Sequence, residues 1–217
     1  MSVSDFMTRN LIVAEPSMKI FDAVDLMKKH EIHRLPVVKN DALIGLITEG
    51  VIQEALPSKA TSLSVYEANY LLNKTTVADV MITKVQTIHP EASLEDGIFK
   101  MRKNDIGVLP VLDENQVLQG IITNNDIFDA FLKIAGYNDG GTRVQIRISE
   151  DHKGILAAIT KLLADNGFSI LTVIVNRKEL ETIVEMQIES RDSQKIDAIL
   201  KNSGYDVFES ILLSKKE

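Results

Sequence analysis

Apolar and polar positions along the chain change their period several times, and each change marks an element. Ile20, Val24 and Met27 recur at helical spacing, as do Leu94, Ile98 and Met101. Ser17 and Ser93 stand before these two runs, and Ser93 with Asp96 has the spacing of a capping box. A short apolar strand is predicted after each helix, at 35–38 and 108–112. A polar turn and a second strand follow, at 43–48 and 117–123, and then a further helix from Glu49 or Asn124. Beyond residue 142 the pattern alternates strictly. Val144, Ile146 and Ile148 interleave with polar residues, as in a half-buried strand. A helix through Ile155, Ile159 and Leu163 follows, stopped by Asn166-Gly167. Strands at 168–175 and 183–188, a helix at 192–202 and a strand at 207–213 complete the order βαββαβ, that of a ferredoxin-like sandwich.

The first 135 residues repeat themselves. At an offset of 74, Val3-Ser4-Asp5-Phe6-Met7 returns as Val77-Ala78-Asp79-Val80-Met81, and Leu35-Pro36-Val37 as Leu109-Pro110-Val111. One extra turn residue makes the offset 75, and Gly45-Leu46-Ile47-Thr48 returns as Gly120-Ile121-Ile122-Thr123. Each copy reads β-α-β-β-α over about 55 residues, too few to cover its own sheet, so the copies are expected to pack as a pair. The expected organisation is a first repeat at 1–56, a linker helix at 57–76 opened by Ser64, a second repeat at 77–135, a glycine-rich linker at 136–142 and a C-terminal domain at 143–217. The fold class is α+β.

Composition narrows the chemistry. The chain of 217 residues is 45% hydrophobic and 25% charged, with no cysteine and a net charge of -7. Disulfides, thiolate metal sites and cysteine nucleophiles are excluded. The acidic balance argues against broad capture of nucleic acid or of an anionic membrane. No apolar run approaches the roughly 18 residues of a membrane span, and the first ten residues lack a signal-peptide layout; a cytoplasmic protein without membrane insertion is expected. No phosphate-loop, HExxH, GxSxG or GxGxxG motif occurs. His30, His33, His89 and His152 lack ligand spacing, so no metal site, cofactor or enzymatic activity is expected.

Candidate binding residues lie where the copies differ. Thr123 ends a strand and Asp126 starts a helix, a pair able to face one small polar ligand; a carboxylate suits the two hydroxyls of a ribose. The same residues would equally serve to cap the helix. The first copy has Val51 where the second has Asp126. His33-Arg34 stands where the second copy has Gly107-Val108, and its guanidinium suits a phosphate. In the C-terminal domain, Asp151, Gly154, Ile155 and Leu156 join the first strand to its helix. That turn is either an anion-binding helix start or an ordinary turn capped by Ser149 or Asp151.

The Val-x-Asp-x-Met starts, Leu-Pro-Val and Gly-Ile-Ile-Thr-x-x-Asp resemble a tandem CBS-domain pair, or Bateman module. The βαββαβ tail with Asp151-His152-Lys153-Gly154-Ile155-Leu156 resembles an ACT domain, with Lys153 where proline is commoner. The order CBS-CBS-ACT is similar to that of acetoin-utilisation B-type proteins. The resemblance implies a regulatory protein that binds an adenosine-containing ligand: AMP, ADP, ATP, S-adenosylmethionine, NAD or cyclic di-AMP. By position it implies Thr123 and Asp126 on the ribose. Thr87, Ile88, Val108, Leu109 and Pro110 would lie around the base, and Arg34 with His33 on the phosphate. It also implies an ACT domain that dimerises or senses a small molecule such as an amino acid, a homodimer, and a regulated enzyme or transporter as partner. The alternative is a dimeric interaction scaffold tied to acetoin or carbon metabolism, without a nucleotide.

Overall fold

The computed structural model describes residues 1–55, 73–178 and 181–215. The linker helix expected from Ser64 lies outside them. The chain forms two compact units, Met1–Ile127 and Phe128–Glu217.

In the first unit, each copy contributes an antiparallel hairpin: β1 (Arg34–Lys39) with β2 (Ala42–Thr48), and β3 (Val108–Leu112) with β4 (Leu118–Thr123). Leu35, Val37 and Ile47 on one hairpin and Leu109, Val111 and Ile122 on the other are fully buried, as continuous apolar runs predict. Each hairpin is preceded by a helix, α1 (Ile20–Lys29) or, in the second copy, α4 (Leu94–Asn104). Each is followed by another, α2 (Glu49–Ala55) or α5 (Asn124–Ile134), the last running across the boundary between the units. Ser93 caps α4 with the reciprocal box expected, its hydroxyl accepting from the Asp96 amide at 3.0 Å. Ser17 does not cap α1. The cap is Lys19, the true counterpart of Ser93, with extended backbone and no side-chain bond. The first strand of each β-α-β-β-α copy is reduced to a single bridge: Ala14 lies parallel to Val37, and Ile88 to Val111.

The start of each copy crosses to the other. The Val3 and Ser4 amides donate to the Ala92 and Pro90 carbonyls; in mirror fashion Val77 and Ala78 donate to Met18 and Pro16. Further on, Thr8 and Ile121 exchange two backbone hydrogen bonds of 2.9 and 3.0 Å, and Leu46 and Ile82 exchange two of 2.9 Å. The repeated Val-x-Asp-x-Met motif thereby has a physical meaning. Val3 and Val77 are fully buried, and Val77 packs into the first copy's core with Ile20, Met27 and Ile52. Asp5 and Asp79 close the turn, accepting from the Ser2 and Thr76 amides at 2.8 Å. Met7 and Met81 cover the glycine of the opposite hairpin. A Cβ on Gly120 would stand 2.8 Å from the Met7 sulfur, and one on Gly45 would stand 2.5 Å from the Met81 sulfur. In the second copy, α3 (Val77–Val80) is the single turn that carries this motif.

The second unit holds a four-stranded antiparallel sheet in the order β6-β7-β5-β8, with β5 Gly141–Ile148, β6 Ile170–Arg177, β7 Thr182–Ile188 and β8 Asp206–Leu213. Helices α6 (Ile155–Asp165) and α7 (Ser193–Asn202) bury Ile159, Leu163, Ile196 and Leu200 against Val144, Ile146, Val184 and Met186. This is the expected ferredoxin-like sandwich. Strand β5 begins at Gly141, inside the expected linker; with φ +88 and the Ile188 carbonyl against it, no side chain fits there.

Candidate functional site

Two cavities lie between the copies of the first unit, related by the internal repeat. The second-copy cavity, about 200 Å3, is walled by Thr123 and Asp126 at the end of β4 and by 8–12 and 31–34 of the first copy. The first-copy cavity, about 420 Å3, is walled by Thr48 and Glu49 at the end of β2 and by 82–86 and 105–108 of the second copy. Both arise because each start segment lies beside the other copy's second strand.

Thr123 and Asp126 do what the helix-cap reading requires. The Thr123 amide and hydroxyl each donate to Asp126 Oδ2 at 2.7 Å, and the Asp126 amide points back to the hydroxyl at 3.4 Å. They also face the cavity. Asp126 Oδ1 accepts only a long bond, 3.3 Å, from the Thr8 hydroxyl, so it keeps capacity to accept. In the first copy the Val51 amide donates to the Thr48 hydroxyl at 3.2 Å, and no carboxylate answers.

Arg34 and His33 line both cavities. The Arg34 guanidinium passes over Gly107, where a Cβ would lie 3.0 Å from Nη2 and 3.0 Å from the Asn124 amide nitrogen. Among the described residues it has no hydrogen-bond or ion-pair partner, whereas Arg143, Arg147 and Arg177 are all paired. His33 Nδ1 lies 3.0 Å from Glu49 Oε2.

The remaining sequence candidates are placed elsewhere. Val108 lines the first-copy cavity. Thr87, Ile88, Leu109 and Pro110 line neither cavity; Leu109 and Ile88 are buried in the second hairpin's packing. The cause is the crossing of the starts: the segment facing Thr123 and Asp126 is 8–12, not 82–88. Thr8 and Lys84 are cavity residues that no motif marks. Their signal is position, one or three residues past the repeated methionine.

In the second unit, Asp151, Gly154, Ile155 and Leu156 border a cavity of about 570 Å3 together with Lys153 and Arg177. Neither Ser149 nor Asp151 caps α6. The cap is Gly154, at φ +94, and Asp151 instead pairs with Arg177 Nε at 3.3 Å. Among the described residues no three acidic or histidine side chains converge as a metal site, and no helix is long and apolar enough to cross a membrane.

The CBS-domain family model matches residues 3–58 and 77–133, together more than half of the chain. The chain belongs to the CBS-domain family. The ACT-domain model matches 142–203, the ferredoxin-like sheet and its helices. The CBS pair of protein MJ0100, solved with 5'-methylthioadenosine and S-adenosyl-L-methionine, is 29% identical with TM-score 0.51, over 60% of this chain and 95% of that one. CBSX2, solved with AMP, is 29% identical with TM-score 0.52, over 61% and 97%. A Vibrio cholerae protein described as an acetoin utilization protein (AcuB) is 28% identical with TM-score 0.54, over 64% and 96%. Among curated relatives, MJ1225 of Methanocaldococcus jannaschii is 32% identical over 130 residues, 59% of this chain. The chain spans less than half of the curated relatives it matches first, 46% of that protein and 23% of two others.

Proposed function

We propose that this CBS-ACT chain is a regulatory module without a reaction of its own, and that it binds an adenosine-containing ligand in the second-copy cavity. The observation that carries this reading is the meeting around one cavity of Thr123, Asp126 and Arg34, whose guanidinium has no partner among the described residues. Asp126 Oδ1 accepts a ribose hydroxyl in place of the long Thr8 contact. Arg34, with His33, takes a phosphate or another anionic group. The CBS pairs solved with AMP and with S-adenosyl-L-methionine support the class of ligand. At about 200 Å3 the cavity is smaller than the roughly 300 Å3 at which small-molecule pockets begin, so a whole nucleotide reaches beyond it.

A bound ligand regulates by favouring one packing of the two copies over another, to the extent of its differential affinity for them. The ACT domain serves dimerisation or small-molecule sensing, and the protein acts as a cytoplasmic homodimer on an enzyme or transporter; the likeness to the Vibrio protein suits acetoin metabolism. Calorimetric titration of AMP into wild type and Asp126→Ala tests the site. A loss on the order of 10-fold to 100-fold is expected for removing a charged hydrogen-bond partner, and equal affinity refutes the assignment.

A scaffold reading is favoured by one feature: Phe128 and Phe131, one turn apart on α5, are each more than 60% exposed. Under it, no adenosine compound raises the melting temperature, and sedimentation still gives a dimer.

A further inference from the structure

Resting on the nucleotide reading, we infer that Arg34 is the one arginine or lysine shared by both cavities, so that the chain holds a single phosphate-bearing ligand at a time. Two sites related by the repeat would ordinarily each own a cation. Here the second copy has Gly107-Val108 in place of His33-Arg34 and returns no guanidinium, only Lys84 from its start segment. The guanidinium instead crosses into the space that Gly107 leaves open and borders both cavities.

The charge balance makes sharing exclusive. The second-copy cavity has Arg34 against Glu31 and Asp126. The first-copy cavity has Arg34 and Lys84 against Glu49 and Asp105. His33, which borders both, is engaged with Glu49. An anion that takes Arg34 in one cavity neutralises it for the other. A second anion then meets two carboxylates, one lysine at most, and the first anion close by, so like charges repel. An uncharged nucleoside escapes this penalty. Arg34 is thus a specificity residue that couples the cavities negatively for phosphorylated ligands alone.

Isothermal calorimetry of the full chain with AMP, adenosine and inorganic pyrophosphate tests this, using wild type, Arg34→Met and Arg34→Lys. Methionine keeps much of the apolar stem, and melting of the ligand-free variants checks the fold. Wild type is expected to take one AMP per chain, with any second at least about 10-fold weaker. Arg34→Met is expected to lose on the order of 10-fold to 100-fold for AMP and pyrophosphate and nothing for adenosine, with Arg34→Lys recovering part. Two equal, independent AMP equivalents overturn the inference and leave the nucleotide reading standing. One Arg34-dependent pyrophosphate per chain, with no AMP or adenosine bound, sinks the nucleotide reading and leaves the shared-anion residue standing. An equal loss of adenosine and AMP in Arg34→Met, or no binding of any probe to wild type, overturns the inference as well.

Discussion

The two CBS copies share a scaffold but not a chemistry, and the difference sits at two positions, those of Asp126 and Arg34. Both strand ends carry a threonine whose hydroxyl accepts from the helix that follows, Thr48 for Val51 and Thr123 for Asp126. Only the second copy returns a carboxylate to that threonine. Only the first copy has a cation at the start of its first strand, and that cation, Arg34, borders both cavities. The backbone exchange that holds the pair together is by contrast nearly symmetric, with Gly45 under Met81 and Gly120 under Met7. The glycines and methionines that join the copies recur in both, whereas Asp126 and Arg34 at the cavities have Val51 and Val108 as counterparts.

The largest effect is expected where the symmetry is structural. Gly120→Val drives a branched side chain into the Met7 sulfur and the Thr8 carbonyl. It should destabilise the pair by about 3 kcal/mol, lowering the melting temperature by roughly 10 °C, with Gly45→Val close behind. A glycine variant that melts like wild type would show that the crossing is loose. Next comes the asymmetry. Asp126→Ala should cost about 1 kcal/mol through the lost cap, besides the ligand affinity, read as a shift of the urea midpoint. The reciprocal change, Val51→Asp, should complete the box at Thr48 and add a few tenths to about 1 kcal/mol. It should also give the first-copy cavity a grip on adenosine, seen as a second equivalent in calorimetry.

The smallest effect is a pH dependence. The Thr76 amide, and then its hydroxyl, hold the Asp79 carboxyl below its ordinary 3.8, with Lys19 adding attraction. A depressed carboxylate adds stability above its unfolded value and loses it as pH falls through the folded one. Thermal melts should therefore change little from neutral pH down to about 5 and decline below about 4, and Asp79→Asn should flatten part of that decline.

Much of this was legible beforehand because it rests on local periodicity. The offsets of 74 and 75 revealed the copies, and the alternation through Val144, Ile146 and Ile148 revealed β5. Pairing between distant segments was not legible, since self-similarity shows that two segments are alike and not which of them touch. That is why no pattern in the sequence marked Thr8, whose hydroxyl lies beside Asp126. Position in the repeat would have corrected one local reading: Lys19, not Ser17, corresponds to Ser93, and it caps with backbone alone. At α6 the caps expected from Ser149 or Asp151 gave way to the left-handed turn that Gly154 permits.

The crossing of the starts also sets a timetable for biosynthesis. Residues 3–8 find their hydrogen-bond partners at Pro90, Ala92 and Ile121, so these backbone groups stay unmatched until roughly a hundred further residues have been made. Until the second hairpin is complete, residues 3–8 are open to proteases or chaperones while translation proceeds.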